Sequence, residues 1–199
     1  MTKARGLFVT FEGIEGSGKT TQLDKIADFL ESQGRSVVRT KEPGGTPVGL
    51  KLREMILNPE TQFSGSTTEV LLFFADRIEH VQTVVVPALE RGDIVLCDRY
   101  FDSTEAYQIG GRGMERAFID RLQEEVRLMP DLTLLLDITP EEGLRRAKAR
   151  AALDRFEKEA MDFHHRVRDT YGKIAKREPD RVKSIGVSDM SIERVYEAV

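Results

Sequence analysis

Residues 13–20 read GIEGSGKT and follow the apolar run LFVTF at residues 7–11. Three glycines and one lysine fall within those eight residues. Gly13, Gly18, Lys19 and Thr20 satisfy the spacing G-x-x-x-x-G-K-[ST]. Glycines let a backbone curl until successive N–H groups converge on phosphate oxygens. The helix predicted next, TTQLDKIADFLESQG at 20–34, brings its positive N-terminal end to the same place. In that setting Lys19 reaches the β- and γ-phosphates of a triphosphate, and the Thr20 hydroxyl can hold Mg2+. A plain glycine-rich connector is the alternative, and the strand–turn–helix context argues against it. Glu15 is out of place in such a cradle, since an acid beside a polyanion costs energy. Either it turns away into solvent, or it accepts a hydroxyl from a second ligand.

Outward from this loop, short apolar runs alternate with longer helical patterns. GLFVTFE (6–12), SVVRT (36–40), DIVLCD (93–98) and DLTLLLDI (131–138) are predicted strands, and RVKSIGV (181–187) a weaker fifth. In the 20–34 helix, Leu23, Ile26, Ala27 and Leu30 share one face and Gly34 is the stop. VGLKLREMIL (48–57) is a helix after the turn PGGTP. Residues 67–92 are expected to form a long helical stretch, bent at Pro87 and ended by Gly92. AFIDRLQEEVRLM (117–129) is a helix stopped by Pro130, and 139–178 is helical, very charged, and opened by a Thr139–Glu142 capping signal. Strands separated by helices imply a parallel sheet with right-handed crossovers. The four clearest strands are nearly all apolar, as when both faces are covered. The fold class is therefore three-layer α/β of the P-loop NTPase type, with a five-stranded parallel sheet. Chemistry belongs in the loops after Phe11, Thr40, Asp98 and Asp137, at the carboxyl ends of the strands.

Bulk composition narrows the function classes. The 199 residues suit one domain, spanning 1–199. A net charge of −4 argues against a long nucleic-acid track. No run of about 18 apolar residues exists to cross a membrane. No secretory signal is expected, so the cytoplasm is the expected location. The single cysteine, Cys97, excludes an internal disulfide, and its apolar setting DIVLCDRY makes it a buried structural thiol. His80, His164 and His165 have no metal spacing with it and are read as surface or packing residues.

The loops carry further motifs: FEGIEGSGKTT (11–21), KEPGGT (41–46), FFADR (73–77), DRYFDSTEAYQ (98–108), and an arginine-rich stretch ending ARAALDRFEKE (149–159). In this order, from Phe11 to about Tyr171, they closely resemble thymidylate kinase, the nucleoside monophosphate kinase that phosphorylates dTMP. The resemblance implies ATP as phosphoryl donor, Mg2+ as cofactor, dTMP as the small-molecule substrate giving dTDP, and a homodimer with 67–91 at its interface. It implies that Gly13, Ile14, Glu15, Gly16, Ser17, Gly18, Lys19 and Thr20 bind the donor, with Arg146. Glu15 would lie near the sugar 3′-hydroxyl of the acceptor. Phe73 would stack on thymine and Arg77 hydrogen-bond it; four apart, they share a helix face. Read without the resemblance, Phe73 is a core residue. Arg99 would grip the acceptor phosphate, Asp98 hold Mg2+ through water, and Thr104 and Gln108 contact the thymine edge. Tyr107 would crowd the sugar 2′ position; Pro43 would lie by the methyl pocket, with Arg53 in the same cleft.

The phosphate loop has no arginine, since Gly16 and Ser17 fill the positions where some members carry one. That resembles the bacterial arrangement, in which a lid, here about 141–157, supplies it. Arg150 matches the lid arginine, with Arg146 and Arg155 nearby; the catalytic set is then Lys19, Arg150, Arg99 and Glu15. Read alone, a basic run on a helix is a solvated face. The sequence departs from the family at Lys41, usually arginine, which loses a two-bond fork, and at Leu50, where an acid is common. Two rivals remain at this level. One is another nucleotide kinase of this fold, which a substrate panel separates. The other is a nucleotide switch or DNA-bound ATPase, which the missing guanine-reading N-K-x-D and the acidic charge disfavour.

Overall fold

The structure is a computed structural model and describes residues 5–150 and 152–198, the side chain of Arg150 aside. All five predicted strands form: β1 (Phe8–Glu12), β2 (Val37–Lys41), β3 (Ile94–Asp98), β4 (Leu132–Asp137) and β5 (Val182–Gly186). Every pairing is parallel, in the order β2-β3-β1-β4-β5. The strand that feeds the glycine loop is thus central, and Phe11 lies beside Asp98 in register. β1, β3 and β4 are buried along most of their length, as their apolar sequences require. β2 departs from the expected two-sided burial because it is an edge strand, half-buried at best.

Helix α1 (Lys19–Ser32) follows the glycine loop, and Leu23 and Ala27 bury against Val9, Phe11, Leu96 and Leu134 on one face of the sheet. Arg39 of β2 reaches back to Asp28 and Glu31 of this helix, at 2.5 and 2.7 Å. α2 (Pro47–Leu57) is capped by Thr46, whose hydroxyl accepts the Gly49 N–H. The predicted 67–92 stretch divides into three: α3 (Ser66–His80), a π-helical turn (Val81–Val85) and α4 (Val86–Arg91), ended by Gly92 at φ 82°. Pro87 has no N–H to donate and its ring crowds the preceding turn, which the wider π spacing accommodates. These helices and α6 (Arg116–Val126) cover the other face, around Phe8, Val95, Cys97, Tyr100 and Ile119. Cys97 is fully buried, as its setting predicts. α6 stops at Arg127, in left-handed conformation at φ 54°, before Pro130 is reached.

The chain after β3 is helical rather than a loop: α5 (Phe101–Thr104) runs into a π-helical segment (Glu105–Gly111). Residues 139–178 likewise split, into α7 (Pro140–Arg150) and α8 (Met161–Arg177), with an irregular segment across 152–160. α8 buries Phe163, Val167, Tyr171 and Ile174 against Leu135, Leu136 and Tyr107. α9 (Ile192–Ala198) has no counterpart in the sequence reading, since only Val195 is buried and no apolar period announces it. It docks on α1, where Gln22 donates to the Ile192 carbonyl at 2.9 Å.

A buried polar stitch fixes the segment after β3. Thr10 of β1 and Thr133 of β4 share a 2.8 Å hydroxyl bond, and Thr133 donates to Asp102 at 3.0 Å. Arg181 grips both Asp102 oxygens, at 2.7 and 2.8 Å. Removing one partner of a buried pair leaves the other charge uncompensated, so Asp102→Ala should cost about 3–5 kcal/mol in urea unfolding. A loss below about 1 kcal/mol would mean that Arg181 escapes to water.

Candidate active site

A cleft of about 600 Å³ opens at the carboxyl ends of β1, β2 and β3. The glycine loop forms one end. Gly13, Gly16 and Gly18 have φ of 135°, 70° and 92°, left-handed values that side chains resist. A Cβ on Gly13 would lie 2.4 Å from the Leu136 carbonyl oxygen, and one on Gly16 2.1 Å from that of Gly143. The loop is therefore seated backbone on backbone against β4 and α7. Ile14 anchors it in the core, and Ser17 turns inward.

Lys19 is nearly buried and donates to the Ile14 carbonyl at 2.9 Å and the Ser17 hydroxyl at 3.3 Å. Burial, and then repulsion from Arg99, push its amine down to about 8. Thr20 donates to Asp98 Oδ2 at 2.6 Å, so two hard oxygens meet at the rim of the loop.

Arg99 sits at the middle of the cleft on an unusual backbone, φ 71°. Its guanidinium bridges two acids. One arm donates to Glu15 Oε1 at 3.1 Å; the other lies 3.2 Å from the Ser103 hydroxyl and 3.4 Å from that of Tyr171. Those two hydroxyls both donate to Glu12 Oε2, at 2.6 and 2.8 Å. Burial, and then Asp102, push the Glu12 carboxyl up to about 7. Glu12, Ser103 and Tyr171 are absent from the sequence-level site. The available signal is an acid that ends an otherwise apolar strand.

Glu15 faces the cleft rather than bulk solvent. It accepts the Tyr107 hydroxyl at 2.5 Å besides Arg99. Burial alone would raise its carboxyl, but nearby His164, Arg99, Lys19 and Tyr107 outweigh that and hold it at about 2. His164 is a buried residue of α8, with Nδ1 3.7 Å from Glu15 Oε2, too long for a hydrogen bond. His165 is exposed, beside Glu141.

The far end is aromatic and amphipathic. Phe73, Arg77, Thr104, Tyr107, Gln108, Pro43 and Arg53 all line it. Phe73 is only half-buried and leans on Phe156 at 6.0 Å, so it does not belong wholly to the core. Arg53 donates to the Pro43 carbonyl at 2.8 Å, and Gln108 to Glu69 at 3.2 Å. Asp154, Phe156 and Glu157, from the segment after α7, close this end, with Phe156 edge-on to Tyr107 at 5.7 Å.

Two predicted arginines stand apart from the cleft. Arg146 is tied to Glu142 at 2.7 Å, one helical turn away, and to the Ser188 carbonyl at 2.9 Å. Arg155 donates to the Ile56 carbonyl at 2.8 Å and to Glu69 at 2.6 Å. The Arg150 side chain lies outside the described residues. Of the departures from pattern, Lys41 stands exposed at the cleft rim, and Leu50 is exposed on α2 away from it.

The sequence profile of thymidylate kinase matches residues 11–199. The chain belongs to the thymidylate kinase family. It is 47% identical over 197 residues to a thymidylate kinase of Hahella chejuensis, covering 98% of this chain and 94% of the relative. It is 50% identical over 177 residues to one of Pseudomonas putida, covering 88% and 86%. The crystal structure of thymidylate kinase from Ehrlichia chaffeensis superposes with a TM-score of 0.80 at 36% identity, covering 98% of this chain and 96% of that one. The activity is accordingly ATP-dependent phosphorylation of dTMP to dTDP.

The depressed Lys19 amine has a consequence for stability. Between about pH 8 and 10.5 the unfolded chain holds a proton on this lysine that the folded, ligand-free protein has released. The contribution of Lys19 itself to stability therefore rises with pH across that window, against the opposite trend from the buried Cys97 thiol and the Tyr100, Tyr107 and Tyr171 phenols. Lys19→Met should flatten this rise, read as the difference in urea midpoint between the two proteins at pH 8 and pH 10.5. An unchanged difference would mean that Lys19 titrates normally.

Proposed function

We propose a division of labour within the cleft, with the donor at the glycine loop and the acceptor at the aromatic end. The observation that carries it is the placement of Lys19 and Arg99 between those ends, each held by acceptors of the protein itself. Phosphate oxygens would take over those hydrogen bonds. Lys19, the loop N–H groups and the start of α1 then hold the ATP phosphates. Arg99 holds the dTMP phosphate. Glu15, fully ionised, accepts the sugar 3′-hydroxyl, which accounts for an acid inside a phosphate cradle. Phe73 stacks on thymine, Arg77, Thr104 and Gln108 meet its polar edge, and the Tyr107 ring fills the space a 2′-hydroxyl would need.

Mg2+ fits the same reading. Thr20 and Asp98 offer hard oxygens, and Mg2+ characteristically takes one or two protein ligands, with phosphates and waters for the rest. When bound there it neutralises charge across the β- and γ-phosphates. Phosphoryl transfer asks the protein for positioning and charge stabilisation more than covalent chemistry. The loop contributes one cation, Lys19. We assign the second to Arg150, on a lid over about 141–157. The prior engagement of Arg146 and Arg155 with other partners supports that choice. Val48, Met55 and Leu71, large apolar side chains exposed on the adjoining helices α2 and α3, support a homodimer through this region. No helix among the described residues is long and apolar enough to cross a membrane. A cytoplasmic setting accords with the lone, buried, free thiol of Cys97.

The test is a coupled assay of ADP release across dTMP, dUMP, UMP, CMP and AMP. Turnover should be highest by far with dTMP; equal turnover with UMP or CMP would contradict the acceptor reading. In the same assay Arg150→Ala should lower kcat by about 10³-fold with little change in the KM for dTMP. Normal turnover of Arg150→Ala beside a dead Arg155→Ala would move the role to Arg155.

A further inference from the structure

We propose that His80 is a positioning residue for Arg77, and thereby helps set how tightly and how selectively the enzyme holds the base of its acceptor. The inference rests on the reading of Arg77 as a base contact. Arg77 is 2% exposed, and its guanidinium lies among the rings of Tyr100, Phe74 and Phe101, at 4.9, 5.2 and 5.9 Å. It cannot discharge there. Its Nε donates to Glu42 Oε2 at 2.8 Å, and its Nη1 is buried without a hydrogen-bond partner.

A carboxylate that meets a guanidinium freely takes two parallel bonds. Here one oxygen is already taken: Glu42 Oε1 lies 2.8 Å from His80 Nδ1. On its other side, His80 Nε2 lies 2.6 Å from the Thr40 hydroxyl. Since Glu42 can only accept, Nδ1 carries the proton. Nε2 then accepts from Thr40 in the neutral ring, or donates to it in the charged one. Either state keeps the chain Thr40–His80–Glu42–Arg77 unbroken, anchored at the end of β2. With one carboxylate oxygen committed to His80, Arg77 donates a single bond to Glu42 and keeps a donor for the ligand that enters beside it.

One glycine of the 41–46 stretch supports the same device. Gly45 does not need positive φ. A Cβ there would lie 2.5 Å from His80 Cδ2, 2.7 Å from Nε2 and 2.8 Å from the Thr40 hydroxyl. Gly45 is thus small because the His80–Thr40 bond occupies the space. His80 is fully buried, but it is not mere packing.

Arg77 as a donor favours a pyrimidine with an acceptor at O4, as in thymine, over one with the amino group of cytosine. The readouts are therefore the KM for dTMP, the kcat/KM ratio of dTMP to dCMP, kcat, and the KM for ATP. His80→Asn keeps a donor near the Nδ1 position; His80→Gln reaches toward Thr40 but loses Glu42. His80→Gln should raise the KM for dTMP and lower the dTMP-to-dCMP ratio, each by about tenfold, with kcat and the KM for ATP within about twofold. His80→Asn should retain most of the parental values. His80→Gln combined with Arg77→Gln should be no worse than Arg77→Gln alone. If Arg77→Gln raises the KM for dTMP while His80→Gln does not, the positioning role is overturned and the base contact stands. If Arg77→Gln leaves that KM unchanged, the base contact itself falls. Equal losses in both His80 variants, across both substrates and in Tm, would reduce His80 to packing. Should His80→Gln fail to fold, Thr40→Val keeps the imidazole. It should raise the KM for dTMP alone, by about threefold; no change would overturn the proposal.

Discussion

Everything in the cleft depends on how closely the glycine loop lies against its neighbours. Gly16 and Gly143 approach so nearly that a Cβ on either would strike the other segment's backbone, at 2.1 Å from the Gly143 carbonyl oxygen and 2.4 Å from that of Glu15. Gly13 is pressed onto Leu136 in the same way. This contact ties the loop to β4 and to α7. The loop's curvature is therefore fixed from behind before any phosphate arrives. Its N–H groups, Lys19 and Glu15 inherit their directions from that seat.

The two cations of the cleft are held by acceptors of the protein itself, and that explains much of its geometry. Lys19 curls back onto a carbonyl and a hydroxyl, while Arg99 is shared between Glu15 and the hydroxyls that Glu12 holds. Two buried cations side by side repel, and Lys19 yields first, because an ammonium can release its proton and a guanidinium cannot. In the proposed reading, phosphates add negative charge beside both cations. Glu15 is the counter-ion of Arg99, and the proposed reading gives it a second duty as acceptor of the sugar hydroxyl.

Much of this was legible in the sequence because it rests on local rules. The phosphate loop is a spacing, and the strands are apolar runs between turn signals. What escaped depends on distant pairings. Glu12 reads as the last residue of a strand until α8 brings Tyr171 to it across 159 positions. His80 reads as a helix residue until the cleft-side turn folds Glu42 and Thr40 around it. Gly143 carries no motif, and its reason is a backbone 127 positions away, at Gly16. The helical turns after Arg99 were hidden for another reason. The motif there reads as a loop by its polar residues, yet Thr104, Tyr107 and Gln108 need a helical spacing to reach one cleft together. The family resemblance implies base and sugar contacts for them without showing that geometry, and all three line the cleft.

The central claim is that donor and acceptor phosphates meet end to end between Lys19 and Arg99. Calorimetry with a bisubstrate ligand, adenosine and thymidine joined at their 5′ ends by a polyphosphate bridge, tests it most directly. The account predicts one such molecule bound per chain, far more tightly than ATP or dTMP alone, and competing with both. Binding no tighter than that of either nucleotide, or two molecules per chain, would contradict it.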